Sequence, residues 1–424
     1  MRKLDLRSQP CSRSSVVAAV LGCVLLAGVA ACGSRRDDRA GTVNTACATA
    51  APGVTQDGIN LGLLYSGSGF GSDPSTLFRA GIDARPDEQN AKGGMNGRKI
   101  TYSFRDDESV PELNLVAGRD LAEHGNVLSI LQFSVAPSGS AALLEQQGVP
   151  AVEGVIPDPG EHRNVFGYSR PLSQLPVSSG WGEFIAAKGG KRAVTISVEL
   201  SAATTTLAGI SAQSLRAAGV DVVTNLQVPA GAFDAARFAQ QLRAAGADSL
   251  IAFVPAQTYY QIVAGARAAG VNLTVALGNL ATYDRSALDL VGAAAAGAYS
   301  FLDYAPFELN TAAHRRFLAA MAAYSPQAAS VPDGSTLIGW ITTDLLLEGI
   351  KAAGLCPTRA SVLTGLRAQT HYDAGGLLPA PIDLSKGMGN IAPCYDYVQV
   401  NKAGTGFDPV APAPGCGHVL PASG

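Results

Sequence analysis

The sequence predicts an α/β protein built from parallel sheets whose two faces are covered by helices. Short apolar runs such as Ile59–Tyr65 and Val127–Phe133 alternate with longer amphipathic stretches such as Pro111–His124. This repetition of strand, helix and strand is typical of parallel sheets. The alternation stops at Ser169–Pro176, which is interpreted as a crossover, and resumes at Arg192. Two doubly wound sheets in two lobes are therefore expected.

Runs of apolar and β-branched residues indicate the strands, and amphipathic stretches indicate the helices. The first series is predicted as strand Ile59–Tyr65, helix Pro74–Asn90, strand Lys99–Phe104, helix Pro111–His124, strand Val127–Phe133, helix Ser138–Gln147 and strand Val149–Val155. The second series is predicted as strand Arg192–Val198, helix Thr204–Ala217, strand Gly219–Val228, helix Phe233–Ala245, strand Asp248–Val254, helix Thr258–Ala269 and strand Val271–Leu277. A mostly helical region, Thr311–Arg367, and a late strand, Tyr395–Val400, complete the prediction.

Length and composition bound the class of protein. The 424 residues are enough for two domains with separate cores, and 47% of them are hydrophobic while 15% are charged. The net charge is −3, so no excess of positive charge indicates a nucleic-acid partner.

The N-terminus is typical of an exported lipoprotein. Four basic residues precede the uncharged run Val16–Ala31, which is short for a membrane-spanning helix and ends in small residues before Cys32. We expect a signal peptide over residues 1–31, cleavage before Cys32, lipidation of its thiol and a polar tether over residues 32–56. The alternative is a signal peptide without lipidation. The lipoprotein reading places the mature protein outside the cytoplasm, anchored to the cell membrane.

Four cysteines remain after the signal peptide and the lipid site are removed. Cys47, Cys356, Cys394 and Cys416 have no zinc-ligand spacing, so an oxidising compartment favours disulfides. Three pairings are possible. The favoured one joins Cys356 to Cys394 within the C-terminal region and Cys47 to Cys416 across the chain ends.

The glycine-rich stretch Asn90–Ser109 raises the question of a phosphate site. A phosphate-binding loop follows a strand and opens a helix, whereas these glycines follow a predicted helix and precede a strand. The stretch is therefore interpreted as a turn. The acids Asp106, Asp107 and Glu108, which end it, are expected to cap the next helix and face solvent, because no histidine accompanies them as a metal ligand.

No arrangement of residues indicates catalysis. The glycines Gly67, Gly69 and Gly71 miss the dinucleotide-binding spacing by one residue, and the histidines have no paired spacing. The sequence lacks the nucleophile elbow and the zinc-protease motif. No enzyme activity, cofactor or metal is therefore expected. The loop after the first strand is still expected to face a crevice.

Gly81–Ser109 resembles the N-terminal signature of type I periplasmic binding proteins, and in particular the branched-chain amino-acid and amide-binding proteins of ABC transporters. The features that carry the resemblance are a helix ending in Gly-Gly, an Asn-Gly-Arg element and a strand closed by Asp-Asp. Lys191–Val223, Asp248–Val271 and Thr358–Leu384 are similar to later parts of the same family.

The resemblance implies two Rossmann-like lobes joined by three crossovers near Arg170, Asp303 and Pro381, with a ligand cleft between the lobes. Residues 57–170 and 304–380 would form the N-terminal lobe, and residues 171–303 and 381–424 the C-terminal lobe. It also implies a monomer that closes on a small solute and docks on an ABC permease in the membrane. The alternatives are a ligand sensor that docks on a receptor and a secreted α/β enzyme.

The resemblance implies nine candidate ligand contacts. They are Ser66, Phe70, Ser134, Ala136, Ile156, Ser201, Gln257, Asn279 and Tyr283. Relatives hold a ligand carboxylate with hydroxyls and backbone amides, for which Ser134 and the amide of Ala136 remain.

The chain departs from the amino-acid-binding pattern in three loops. Pro157 and Asp158 lie where relatives have Ala-Thr, and they offer a carboxylate neither a hydroxyl nor a favourable charge. Glu199–Thr205 lacks the relatives' aromatic residue, and Asn279 and Leu280 replace the acid that meets the ammonium group. We therefore expect an amide, a small neutral polar compound or an aromatic acid instead of a zwitterionic amino acid.

Overall fold

Two sheets organise the chain in a computed structural model. The model describes residues 47, 51–69, 72–154, 162–169, 177–229, 231, 233–328, 333–385 and 393–420. The predicted signal peptide, Cys32, Phe70 and Ile156 lie outside these residues. Within them, no helix has both the length and the apolar character needed to cross a membrane.

The first sheet is parallel and has the strand order β2-β1-β3-β4-β5. Its strands are β1 (Gly58–Tyr65), β2 (Lys99–Asp106), β3 (Ile130–Phe133), β4 (Ala151–Glu153) and β5 (Val165–Phe166). The helices that connect them are α1 (Ser72–Ala91), α2 (Pro111–Glu123) and α3 (Ser138–Gln146). Strands β3 and β4 are buried along their whole length, as expected of strands covered on both faces.

The second sheet has the order β12-β11-β10-β9-β8-β6-β7, with β13 also paired to β11. Its strands are β6 (Arg192–Val198), β7 (Asp221–Val228), β8 (Ser249–Ala252), β9 (Val275–Gly278), β10 (Tyr299–Leu302), β11 (Cys394–Val400), β12 (Phe407–Pro409) and β13 (Gly415–Cys416). Strands β6 to β10 run parallel, and β11 returns antiparallel to β10. The helices beside this sheet are α4 (Gly180–Ala187), α5 (Ala202–Ala217), α6 (Ala235–Ala245), α7 (Ala256–Ala268) and α8 (Arg285–Asp289).

Three further helices return the chain to the first sheet. They are α9 (Ala312–Tyr324), α10 (Gly334–Ala352) and α11 (Arg359–Arg367). Helix α10 packs so closely on α1 that a Cβ atom at Gly81 would lie 1.8 Å from the carbonyl oxygen of Thr336. The buried ion pair between Arg85 and Asp344, 2.7 Å apart, joins the same two helices. The predicted α/β architecture with two lobes is confirmed.

Leu384 packs with the first lobe, because its backbone N–H donates to the carbonyl oxygen of Gln369. Strand β11 of the second lobe begins at Cys394. The expected crossover at Arg170 lies outside the described residues, and the crossovers and lobe boundaries stay a prediction.

The predicted disulfide pairing is wrong. The structure joins Cys47 to Cys356, with Cα atoms 5.5 Å apart, and Cys394 to Cys416, with Cα atoms 4.0 Å apart. Cys394 and Cys416 lie opposite each other on the antiparallel strands β11 and β13, so their side chains are close enough to form a disulfide. Each bridge therefore lies within one lobe, and neither joins the two chain ends.

Candidate functional site

The predicted ligand residues lie where parallel strands end. Ser66 follows β1 and Ser134 follows β3 in the first lobe. In the second lobe, Ser201 follows β6, Gln257 lies in the first turn of the helix after β8, and Asn279 follows β9. Because parallel strands end at one edge of a sheet, these loops form the edge at which α/β proteins bind ligands.

A buried carboxylate, Asp107, ties the first-lobe loops together. Its Oδ1 accepts hydrogen bonds from Ser66 Oγ at 2.9 Å and from the backbone N–H of Ser109 at 2.9 Å. Its Oδ2 accepts from Asn114 Nδ2 at 2.8 Å and from Ser134 Oγ. Asp107 is completely buried, and the four donors come from the ends of β1 and β3 and from the start of α2. This network fixes the positions of three strand-end loops.

The neighbouring acid, Asp106, holds the loop after β1. Its Oδ1 accepts backbone hydrogen bonds from Gly67 at 2.9 Å, Ser68 at 3.3 Å and Glu108 at 2.9 Å. Burial alone would raise the pKa of Asp106, but these backbone donors and the Ser68 hydroxyl lower it below its ordinary value. Glycine is required at position 69, where φ is +79° and a Cβ atom would lie 2.1 Å from the Glu108 carbonyl oxygen.

The expected capping role of these acids is therefore wrong. Helix α2 has Val110 at its N-cap without a side-chain hydrogen bond. Asp106 and Asp107 bind the loops at the carboxyl edge of the first sheet instead.

The network also uses Ser134 and the amide of Ala136, which were expected to face a ligand carboxylate, and the candidate contact Ser66. The hydroxyl protons of Ser66 and Ser134 are donated to Asp107. The backbone N–H of Ala136 donates to Ser134 Oγ at 2.8 Å, and that of Val135 donates to Ser66 Oγ at 3.2 Å. The structure thus brings Ser66, Ser134 and Ala136 together, but it does so around an internal carboxylate.

The second-lobe candidates shape their own loops. Ser201 caps α5, and its hydroxyl accepts a hydrogen bond from the N–H of Thr204 at 3.4 Å. The side chain of Asn279 accepts from the N–H of Ala281 at 2.9 Å and donates to Val254, while Gln257 is exposed. Between β6 and Ser201, the side chain of Leu200 is 101% exposed.

Tyr283 lines a cavity of about 330 Å³, which we term the Tyr283 pocket. The remaining lining residues are Leu77, Asp284, Arg285, Ser286, Phe307, Glu308, Gln327, Ala328, Asp333 and Phe407. Among the lining residues that the structure describes, Tyr283 is the one predicted from the sequence as a ligand contact.

Both lobes contribute to the walls of the pocket. Tyr283 and its next three residues follow β9, and Phe407 begins β12, so these belong to the second lobe. Leu77 in α1 and Asp333 before α10 belong to the first lobe, and Phe307 lies between β10 and α9. A molecule in this pocket would therefore touch both lobes.

A hydrogen-bonded aromatic and acidic cluster forms one side of the pocket. The Tyr283 hydroxyl donates to the Glu308 carboxylate at 2.5 Å and accepts from the N–H of Phe307 at 3.1 Å. Burial and the adjacent Glu308 carboxylate raise the pKa of Tyr283, so its hydroxyl stays protonated at neutral pH. Arg285 Nη2 lies 3.7 Å from Glu308, and the Phe407 ring centroid lies 4.8 Å from that of Tyr283.

Two acids of the lining cap helices that begin at the pocket. Asp284 accepts backbone hydrogen bonds from Ser286 and Ala287 at the start of α8. Asp333 does the same for the start of α10. In each case Oδ1 accepts the capping hydrogen bonds. The carboxylates therefore line the pocket at the points where the two helices begin.

Comparisons with known proteins give a consistent result. A family model described as periplasmic binding protein matches residues 58–405. The chain is 27% identical over 314 residues to Leu/Ile/Val-binding protein homolog 7 of Brucella suis biovar 1 (strain 1330), and the match covers 69% of this chain and 76% of that protein.

Solved structures share the fold at low identity. An ABC transporter substrate-binding protein from Sphaerobacter thermophilus has a TM-score of 0.73 at 18% identity, covering 86% of this chain and 100% of that one. An ABC transporter solute-binding protein from R. palustris in complex with benzoate has a TM-score of 0.68 at 19% identity, covering 86% and 98%. The substrate-binding protein LivJ from Streptococcus pneumoniae in complex with isoleucine has a TM-score of 0.67 at 16% identity, covering 84% and 100%.

Proposed function

The chain belongs to the periplasmic binding protein family, and from that premise we propose that it is the solute-binding lipoprotein of an ABC importer. Members of this family are extracytoplasmic binding proteins and not enzymes. The proposed solute is small and polar, an amide or another compound related to the amino acids, and not a zwitterionic amino acid itself. The protein captures it by closure of the two lobes and delivers it to a membrane permease.

The observation that supports this proposal best is a pocket with walls from both lobes. A solute in the Tyr283 pocket contacts Leu77 and Asp333 of the first lobe and Phe407 of the second. Such a solute binds most tightly when the lobes are closed, so it shifts the open–closed equilibrium towards the closed form. The cavity volume of about 330 Å³ is at the small end of ligand sites, which suits a small metabolite.

The first lobe supports a ligand other than a zwitterionic amino acid. Ser66 and Ser134 donate their hydroxyl protons to Asp107, and the amide of Ala136 is hydrogen-bonded to Ser134. These groups do not offer a ligand carboxylate its usual donors. Isoleucine and benzoate are ligands of relatives that share the fold, and both carry such a carboxylate.

Small-angle scattering with a solute panel tests capture by closure. The panel contains the common amino acids, their amides and benzoate, each added at saturating concentration. At least one solute should reduce the radius of gyration, and calorimetry should show that leucine, isoleucine and valine bind no tighter than millimolar. A radius that no solute changes would contradict closure. Micromolar binding of leucine would contradict the assignment of the ligand.

The lipid anchor is proposed from the run of small residues before Cys32. Mass spectrometry of the membrane fraction should identify a chain that begins at lipid-modified Cys32. The Cys32→Ser variant should be released into the soluble fraction. If the variant stays membrane-bound to the same extent as the wild-type protein, the anchor lies elsewhere.

Delivery to a permease is distinguished from sensing by a transport assay. The genes next to this one should encode a permease and an ATPase. Vesicles that contain that permease should take up the solute only when the binding protein is present. A protein that supports no uptake but changes the activity of a membrane receptor would instead be a sensor.

A further inference from the structure

The charge of the Tyr283 pocket identifies the kind of solute it favours. In the part of the chain that the structure describes, its lining contains the carboxylates of Asp284, Glu308 and Asp333 and the guanidinium of Arg285, a formal excess of two negative charges. A cation gains from this excess, and an anion is repelled by it. Arg285 is already counted in this excess. Its Nη2 lies 3.7 Å from Glu308 Oε1, and its side chain is 56% exposed, so it offsets Glu308 in part and leaves Asp284 and Asp333 unopposed by a described cation of the lining.

Among the described residues, each carboxylate has an oxygen without a hydrogen-bond donor. Asp284 and Asp333 accept the capping hydrogen bonds of these residues through Oδ1. Glu308 accepts the Tyr283 hydroxyl through Oε2, and its Oε1 is 3.7 Å from Arg285, beyond hydrogen-bond distance. The pocket therefore retains acceptors for the N–H groups of a ligand.

Aromatic rings provide the second feature, independent of the acids. The ring of Tyr283 lies 4.8 Å from that of Phe407 and 6.3 Å from that of Phe307, measured between centroids. All three rings line the cavity, together with the aliphatic side chain of Leu77. Aromatic faces attract cations, and the same rings bury an apolar body.

We propose that the Tyr283 pocket selects a small organic cation, an amine with an apolar body. The proposal rests on the proposed solute-binding function and specifies the ligand of that site. It also revises the expectation that a ligand ammonium would lack a partner at Asn279 and Leu280. The fold supplies carboxylates from Asp284 and Glu308 instead.

Three compounds with the same ring and different charges test the proposal. Calorimetric titration of the full chain at neutral pH uses benzylamine, which is a cation, benzamide, which is neutral, and benzoate, which is an anion. Benzylammonium should bind at least about tenfold more tightly than the other two, because both cation–π and carboxylate contacts favour it. Equal or tighter binding of benzamide or benzoate overturns the proposal. So does the absence of binding by all three at millimolar concentration.

Matched variants test whether the charged residues of the pocket determine the selectivity for a cation. Asp284→Asn and Asp333→Asn keep an efficient helix cap and remove one charge each, so each should weaken benzylammonium about fivefold without unfolding the protein. Arg285→Gln should strengthen it by about threefold. Asp289→Asn is the control. Asp289 lies at the end of α8, the helix that Asp284 caps, and its exposed carboxylate does not line the pocket, so this variant should change the affinity by less than about twofold. Weaker binding in Arg285→Gln would overturn the proposal.

Scattering data separate this inference from the function on which it rests. If benzamide or benzoate binds most tightly and still compacts the protein, capture by closure stands and cation selectivity fails. If benzylammonium binds most tightly but leaves the radius of gyration unchanged, cation selectivity stands and capture by closure fails.

Discussion

Removal of the Asp107 carboxylate should destabilise the protein more than removal of its neighbour. The Asp107→Ala variant leaves three buried side-chain donors, on Ser66, Asn114 and Ser134, without their acceptor. Each unsatisfied buried donor costs about 1–3 kcal/mol, part of which is recovered when water enters the vacated space. We therefore expect a loss of about 3–5 kcal/mol in the free energy of unfolding, a large part of the stability of a typical domain.

Asp106→Ala is the matched control for this experiment. Asp106 lies one position away and also accepts several hydrogen bonds, but its donors are backbone amides and the Ser68 hydroxyl, which water can reach. Its removal should cost only about 1 kcal/mol. Urea unfolding followed by circular dichroism measures both variants, with unchanged slopes as the check that the denatured states are comparable. A loss for Asp107→Ala no larger than that for Asp106→Ala would refute the role of Asp107 as the centre of the network.

Three other perturbations have defined outcomes. Leu200 has φ of +62° and an exposed side chain, so Leu200→Gly should raise the free energy of unfolding by about 1 kcal/mol in urea, whereas Leu200→Ala should not. Burial alone would raise the pKa of Glu88, but hydrogen bonds from Arg316 and a lysine lower it to about 2. Its contribution to stability is therefore present above its unfolded pKa near 4.5 and is lost as pH falls towards 2, so Glu88→Gln should flatten Tm across that range. The Cys47–Cys356 disulfide closes a longer loop than the Cys394–Cys416 disulfide. Its removal should therefore lower the free energy of unfolding by about 5 kcal/mol, against about 3 kcal/mol for the other, as measured by thermal unfolding. The reverse order would contradict the loop-closure argument.

Several central parallel strands were predictable because they contain buried apolar runs. The predicted strand Arg192–Val198 coincides with β6, and it is buried from Ala193 to Ser197. Strand β10, Tyr299–Leu302, was missed because it has four residues and follows an alanine-rich segment that gives no periodicity. Strand β5 has two residues, too few for any pattern. Short strands are specified by their neighbours in the sheet.

The disulfide pairing was not predictable because it depends on where the segment between α10 and α11 packs. Sequence separation alone favours no pairing among four cysteines. Arg98 donates to the carbonyl oxygen of Leu355 at 2.9 Å and to that of Thr55 at 2.8 Å. These contacts hold the segment before Cys356 against the N-terminal part of the first lobe, within reach of Cys47. Such a contact joins residues that are far apart in the sequence, so no local sequence pattern predicts it.

The Tyr283 pocket could not be predicted from the sequence for a different reason, because two of its acids also cap helices. In the structure, Asp284 and Asp333 each cap a helix. This role accounts for one oxygen of each carboxylate. In parallel α/β lobes, the helix that follows a strand begins at the carboxyl edge of the sheet, which is also the edge that binds ligands. Asp284, which follows β9, can therefore cap its helix and face a solute with the same side chain. The charge of a pocket of this kind follows from which caps the fold brings together, and that depends on tertiary structure.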